Sequence, residues 1–175
     1  MNLKEGISNV KDTASLLKNL HVSRKNPVSV VHFITNRCNA RCSFCFIDFD
    51  NKVTQRAQMS IEEIDTLTKN MGPNLQNVNI TGGEPFARAD ILEIARCYFN
   101  NTNVRSIYIT TNGSFPDRLE KFLLAISTEF PDRKILLQFS IDAMPEEHNR
   151  IRKVKNLFEL TMKSYVLTKK FGPNV

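Results

Sequence analysis

The stretch Val28-Ser29-Val30-Val31-His32-Phe33-Ile34-Thr35-Asn36-Arg37-Cys38-Asn39-Ala40-Arg41-Cys42-Ser43-Phe44-Cys45 decides the fold. Its first seven residues are mostly β-branched and apolar, which predicts a buried strand over Val28–Ile34. The strand runs directly into three cysteines spaced C-x3-C-x2-C, a segment that must be loop. Thiolate sulfur is a soft ligand suited to iron–sulfur clusters, zinc and copper(I). A cubane [4Fe–4S] cluster is normally held by four cysteines. Cys38, Cys42 and Cys45 can therefore anchor three of its irons and leave the fourth open to chemistry. Structural zinc prefers four ligands in paired half-sites, and no second C-x2-C follows. A disulfide scaffold is disfavoured, because the chain has only four cysteines in 175 residues and no secretory signal pattern. An iron–sulfur site is the preferred reading, with zinc the alternative.

Outward from this stretch, strand and helix signals alternate. Ser60 and Glu63 form a capping-box pair that opens a helix ending near Met71, before Gly72-Pro73. Val78–Thr81 reads as a strand, Asp90–Phe99 as a helix, Arg105–Thr110 as a strand and Pro116–Thr128 as a helix. Lys134–Ile141 is the last strand and Asn156–Phe171 the last helix. Four βα units in a row predict an α/β fold with a parallel sheet. Residues 1–27 read as a polar helical arm, with Leu3, Ile7, Val10, Ala14 and Leu17 at helical spacing, and residues 28–175 as the core domain.

Each unusual polar motif falls just past the carboxyl end of a predicted strand. The cysteines follow the first strand and Gly82-Gly83-Glu84-Pro85 the second. Thr110-Thr111-Asn112-Gly113 closes the third, and Ser140-Ile141-Asp142 the fourth. Parallel α/β folds gather their ligand sites at this edge. Taken singly, Gly-Gly and Asn-Gly are ordinary turn dipeptides and Ser-x-Asp is an ordinary cap. Their convergence on one rim predicts one active site.

The net charge is +6, but the basic residues are scattered and not in a block, so most belong to solvated faces. No apolar run reaches the roughly 18 residues a membrane span needs. The composition predicts a soluble protein of the reducing cytoplasm. Cys97, inside a predicted helix, reads as a buried free thiol.

Together the four ordered motifs resemble those of the radical S-adenosylmethionine (radical SAM) enzymes, over about residues 28–155. The resemblance is to the branch containing the molybdopterin GTP cyclase, the peptide maturases and viperin. It implies a parallel (βα)n partial TIM barrel, of which this chain supplies about four of the usual six βα units. It further implies a [4Fe–4S] cluster on Cys38, Cys42 and Cys45, whose open iron is chelated by S-adenosylmethionine (SAM). Reductive cleavage of SAM to a 5′-deoxyadenosyl radical, which takes hydrogen from a substrate, is the implied activity. By the same resemblance Gly82 and Gly83 allow close backbone approach to the methionine part of SAM, Pro85 stiffens the turn, and Glu84 meets the methionine ammonium. Phe44 lies near adenine, Ser140 near the carboxylate or ribose, and Thr111 and Asn112 line the pocket. Asp142 meets a ribose hydroxyl or caps a turn. Arg152, with Arg150 as runner-up, pairs with the SAM carboxylate, and His148 is an ordinary surface histidine. The implied partners are a small-molecule or peptide substrate, an electron donor such as flavodoxin or ferredoxin, and a partner chain completing the barrel. A non-catalytic iron–sulfur or zinc module acting through a partner is the rival class. The GTP cyclase pattern carries an arginine two residues before its Thr-Gly-Gly-Glu-Pro run, where this chain has Asn79.

Overall fold

The computed structural model describes residues 13–15, 17–23, 26–53 and 58–175. Four strands, β1 (Ser29–Thr35), β2 (Asn77–Gly82), β3 (Ser106–Thr111) and β4 (Lys134–Phe139), pair in parallel in the order β1-β2-β3-β4. Sequential parallel order requires a crossover after every strand. The first three are the helices α1 (Ile61–Asn70), α2 (Ile91–Asn101) and α3 (Pro116–Glu129). After β4 come α4 (Pro145–Arg152) and α5 (Leu157–Thr168), then a 3-10 turn over Lys169–Asn174. The predicted α/β partial barrel of four βα units is the fold observed. No further strand lies beside β4 among the described residues.

Local chemistry explains the helix boundaries. Ser60 accepts from the Glu63 amide at 3.2 Å while the Glu63 carboxylate accepts from the Ser60 amide at 2.8 Å, so the capping box closes in both directions. Pro116 and Pro145 stand in the first turns of α3 and α4, where a missing N–H costs nothing. Lys153 ends α4 in the left-handed region at φ 55°. The helix α4 was not expected from sequence. Its eight residues carry no apolar stripe and bury only His148 and Arg152.

The core lies between one face of the sheet and α1–α3. Val78, Ile80, Ile107, Ile109 and Ile135 point into it and are at most 1% exposed. Ile64, Ile94, Tyr98, Leu119 and Leu123 meet them from the helices. Cys97 is buried here as a free thiol, as expected. The reading of β1 as a buried strand needs correction. It holds for His32 and Ile34, but Val31 and Phe33 are 60% and 51% exposed. They belong to the opposite, concave face, which no helix among the described residues covers. Strand register puts Val31, Asn79, Tyr108 and Leu136 in one row across that face. One step toward the carboxyl ends, Phe33, Thr81, Thr110 and Gln138 form the next row.

Of the predicted arm, Leu3, Ile7 and Val10 lie outside the described residues. Ala14 and Leu17 are helical and exposed, and Asn19–Ser23 forms a π-helical turn. No helix among the described residues is long and apolar enough to cross a membrane.

His32 adds a pH-sensitive element to the core. Its Nδ1 lies 3.0 Å from the Tyr98 hydroxyl, and burial, helped by the Arg88 charge, lowers its pKa from 6.5 to about 4. The unfolded chain binds a proton on this ring at higher pH than the folded one. The stabilisation is therefore complete above pH 6.5 and is lost as pH falls toward 4. Stability at pH 5 is expected to be about 2 kcal/mol lower than at pH 7 from this residue alone. Urea unfolding of wild type and His32→Gln across that range checks it, with the dependence reduced in the variant.

Candidate active site

The site is built from backbone that the strands deliver to one edge. β1 ends at Thr35, and the first cysteine of the loop, Cys38, comes three residues later. The next strand ends beside it, where the Gly83 amide donates to Thr35 O at 2.7 Å and the Glu84 amide to Arg37 O at 2.9 Å. This contact is close enough to exclude side chains. A Cβ at Gly82 would stand 2.2 Å from Thr35 O, and one at Gly83 would stand 2.2 Å from Arg37 O. Gly82 also holds φ +139°, a conformation side chains resist. The two glycines thus seat β2 against the root of the cysteine loop.

Glu84 is fully buried. Its carboxylate accepts from the Thr111 hydroxyl at 2.7 Å, the Asn112 amide at 2.7 Å and the Phe86 amide at 3.0 Å. Burial pushes its pKa up, against these hydrogen bonds and the attraction of Arg152. The expected contact with an amino group of SAM would have to compete with these three internal donors. In the structure Glu84 ties the end of β2 to the end of β3. Pro85 follows, buried in the first turn of a 3-10 segment that Glu84 caps.

Asn112 carries the connection on to the cysteines. Its Nδ2 donates to Asn39 Oδ1 at 3.0 Å and reaches Cys38 Sγ at 3.9 Å. The Ala40 amide donates to the same sulfur at 3.3 Å. Hydrogen bonds to ligating sulfur are a lever by which proteins tune such centres. The Thr111–Gly113 loop is held from behind by α5, through Thr161 Oγ1 to Asn112 O at 2.6 Å and Ser164 Oγ to Gly113 O at 2.7 Å. Sequence reading missed Thr161 and Ser164. Their signal is two small polar residues, three apart, on the face of the helix that also buries Leu157 and Leu167.

The fourth strand end completes the rim. Ser140, half-buried, donates its amide to Thr111 O at 2.9 Å. Asp142 takes the Arg152 guanidinium through two bonds, from Nε at 2.6 Å and Nη2 at 3.1 Å. The end of α4 also grips the cysteine loop, with the Arg41 amide on Arg152 O and the Ser43 amide on Ile151 O. Arg150 is exposed and paired with Glu147. His148 is not at the surface, as expected from sequence, but 0% exposed. It packs edge-on against Phe158, and its Nδ1 accepts the Asp142 amide at 3.3 Å. Burial lowers its pKa, with Arg152 acting in the same direction. Phe44 projects 63% exposed from the cysteine loop.

Removing Asp142 leaves the buried Arg152 guanidinium without its carboxylate, whereas removing Arg152 leaves an exposed carboxylate. Asp142→Asn is expected to cost about 2 kcal/mol. Asp142→Asn with Arg152→Met is expected to cost less than the sum of the single variants, which thermal unfolding checks in a double-mutant cycle.

The cysteines are half-buried free thiols, and burial pushes the Cys38 and Cys42 thiols up, with Arg152 opposing it at Cys42. Among the described residues no three His, Cys, Asp or Glu side chains cluster so as to hold one metal ion. A cubane distributes its thiolates over separate irons, so three spaced sulfurs on one loop, one carrying N–H donors, fit a cluster better than a single ion.

A parallel sheet whose strand ends join a three-cysteine loop to a buried glutamate defines the class of α/β protein to which this chain conforms. Comparison with known proteins makes that class specific: the model of the Radical SAM superfamily matches residues 33–174, and the chain belongs to this superfamily. A probable GTP 3',8-cyclase of Methanothermobacter thermautotrophicus is 33% identical over 127 residues, covering 72% of this chain and 39% of the relative. The GTP 3',8-cyclase of Actinobacillus pleuropneumoniae is 37% identical over 82 residues, covering 46% of this chain and 24% of the relative. The chain thus spans about two fifths or less of the curated relatives it matches. Among solved structures, native anSMEcpe with bound AdoMet superposes with a TM-score of 0.63 at 23% identity, covering 83% of this chain and 41% of that one. SuiB of Streptococcus suis bound to its precursor peptide SuiA gives 0.62 at 20% identity, covering 98% and 36%. Both share the partial-barrel fold.

Proposed function

We propose that this chain is the core, or part of the core, of an enzyme that holds a [4Fe–4S] cluster on Cys38, Cys42 and Cys45 and binds SAM beside it. Bound together, the cluster and SAM supply reductive cleavage to methionine and a 5′-deoxyadenosyl radical able to take hydrogen from a substrate. The observation that carries the reading is the buried network from Glu84 through Thr111 and Asn112 to Cys38 Sγ. It connects three of the four strand ends to one loop and has no evident purpose in a simple metal-binding knuckle.

The residues divide into two tasks. Gly82, Gly83, Glu84, Thr111 and Asn112 fix the cysteine loop and present backbone at the rim. Phe44, Pro85 and Ser140 border the space where SAM would lie. Arg152 gives Nε and Nη2 to Asp142, leaving Nη1 outside that pair for the carboxylate of SAM. Half-buried free thiols suit a reducing cytoplasm, and a donor protein such as flavodoxin or ferredoxin would deliver the electron. The substrate is a small molecule or a peptide, and any remaining barrel wall would come from further sequence or a partner chain.

Anaerobic reconstitution with iron and sulfide tests the reading. The expected product is a brown protein with about four irons per chain, whose reduced electron paramagnetic resonance signal changes when SAM is added. A protein that takes up zinc, forms no cluster and ignores SAM would establish the non-catalytic alternative. GTP cyclisation is the second reading, favoured by the cyclase relatives and disfavoured by Asn79.

A further inference from the structure

The eight side chains in the two concave rows carry no charge, although the whole chain carries +6. Four of the eight are apolar or aromatic, and of these Val31, Phe33 and Tyr108 are exposed at 60%, 51% and 42%. Among the four polar side chains, one atom stands apart. Asn79 Oδ1 is buried and has no hydrogen-bond partner among the described residues. By register it sits between Val31 and Tyr108 in the inner row. Buried side-chain oxygens are nearly always matched, so an unmatched one marks a group whose partner arrives from outside.

We propose that Asn79 Oδ1 is a substrate-binding acceptor, taking an N–H or O–H from a substrate whose body is uncharged and apolar or aromatic. Val31 and Phe33 lie on one side of it and Tyr108 with Leu136 on the other, so the body of such a group meets carbon while its donor meets the amide. A phosphate at this position would find no cation in either row and would face a carbonyl oxygen. The proposal rests on the reading above, in that it takes the concave face to be the substrate side of the SAM site.

Indole supplies one N–H on an apolar ring, and 1-methylindole supplies the same ring without it. Both are titrated into the full chain without iron or SAM, following the methyl resonances of Val31 and Leu136. Indole is expected to bind about 3- to 10-fold more tightly than 1-methylindole. In Asn79→Leu the two are expected to bind within twofold of each other. In Asn79→Ser, which keeps a small acceptor, part of the preference is expected to return. GTP is expected to shift neither resonance. Equal affinity for the two indoles in wild type, absence of binding by both, a preference that survives in Asn79→Leu, or GTP binding that depends on Asn79 would each overturn the proposal. Because the readout needs no cluster, indole selectivity without SAM cleavage would refute only the enzymatic reading. SAM cleavage without indole selectivity would refute only this site.

Discussion

Glu84→Ala is expected to destabilise the protein by about 4 kcal/mol, because it leaves three buried donors without an acceptor. Those donors are the Thr111 hydroxyl and the Asn112 and Phe86 amides, all within 3.0 Å of the carboxylate. None can turn to solvent, since Thr111 and Asn112 are themselves 2% and 5% exposed. For a chain of this size the loss corresponds to a melting temperature lower by about 8–16 °C. Glu84→Gln keeps one oxygen and is expected to recover part of the loss, because its amide nitrogen must then oppose at least one donor. Thermal unfolding by circular dichroism measures both. A Glu84→Ala protein as stable as wild type would show that the carboxylate is not the tie between β2 and β3, and would return it to a role in direct ligand contact.

Gly83→Ala acts on the same junction by exclusion. The new Cβ would lie 2.2 Å from Arg37 O and 2.6 Å from Arg37 C, both backbone atoms that no rotamer change can move. Relief requires the Arg37 peptide to shift, and with it the start of the cysteine loop. The hydrogen bonds from Gly83 to Thr35 and from Glu84 to Arg37 would stretch or break. Overpacking of this kind costs about 1–3 kcal/mol. The larger effect is expected in iron uptake, because Cys38 follows Arg37 directly. Gly83→Ala is expected to stay folded at 20 °C yet retain well under half of the wild-type iron after reconstitution. Full iron loading in the variant would show that the loop does not depend on the β2 contact.

Much of this arrangement was legible in the sequence. The alternation of apolar strands and capped helices specifies four βα units, and the polar motifs fall where parallel strands end. The capping box at Ser60 and Glu63 is a local signal, so it could be read without the fold. What stayed hidden depends on neighbours distant in sequence. Val31 and Phe33 look like core residues because apolar side chains alone do not say whether anything covers them. The tie that Glu84 makes between β2 and β3 stayed hidden because its three donors come from Phe86, Thr111 and Asn112, two of them on another strand end. His148 looks like a surface residue because α4 has almost no apolar periodicity, and its burial comes from packing against Phe158 on α5. Asn79 looks like a departure from the cyclase pattern. Only the fold shows that it sits between Val31 and Tyr108 with an oxygen that has no partner among the described residues.

The most direct measurement of the central claim is production of 5′-deoxyadenosine from SAM by the anaerobically reconstituted, dithionite-reduced protein. The wild-type chain is expected to release 5′-deoxyadenosine and methionine in equal amounts, and Cys38→Ala, Cys42→Ala and Cys45→Ala are each expected to release neither. A protein fully loaded with iron and sulfide that leaves SAM intact, or a Cys38→Ala variant that cleaves it as fast as wild type, would contradict the account.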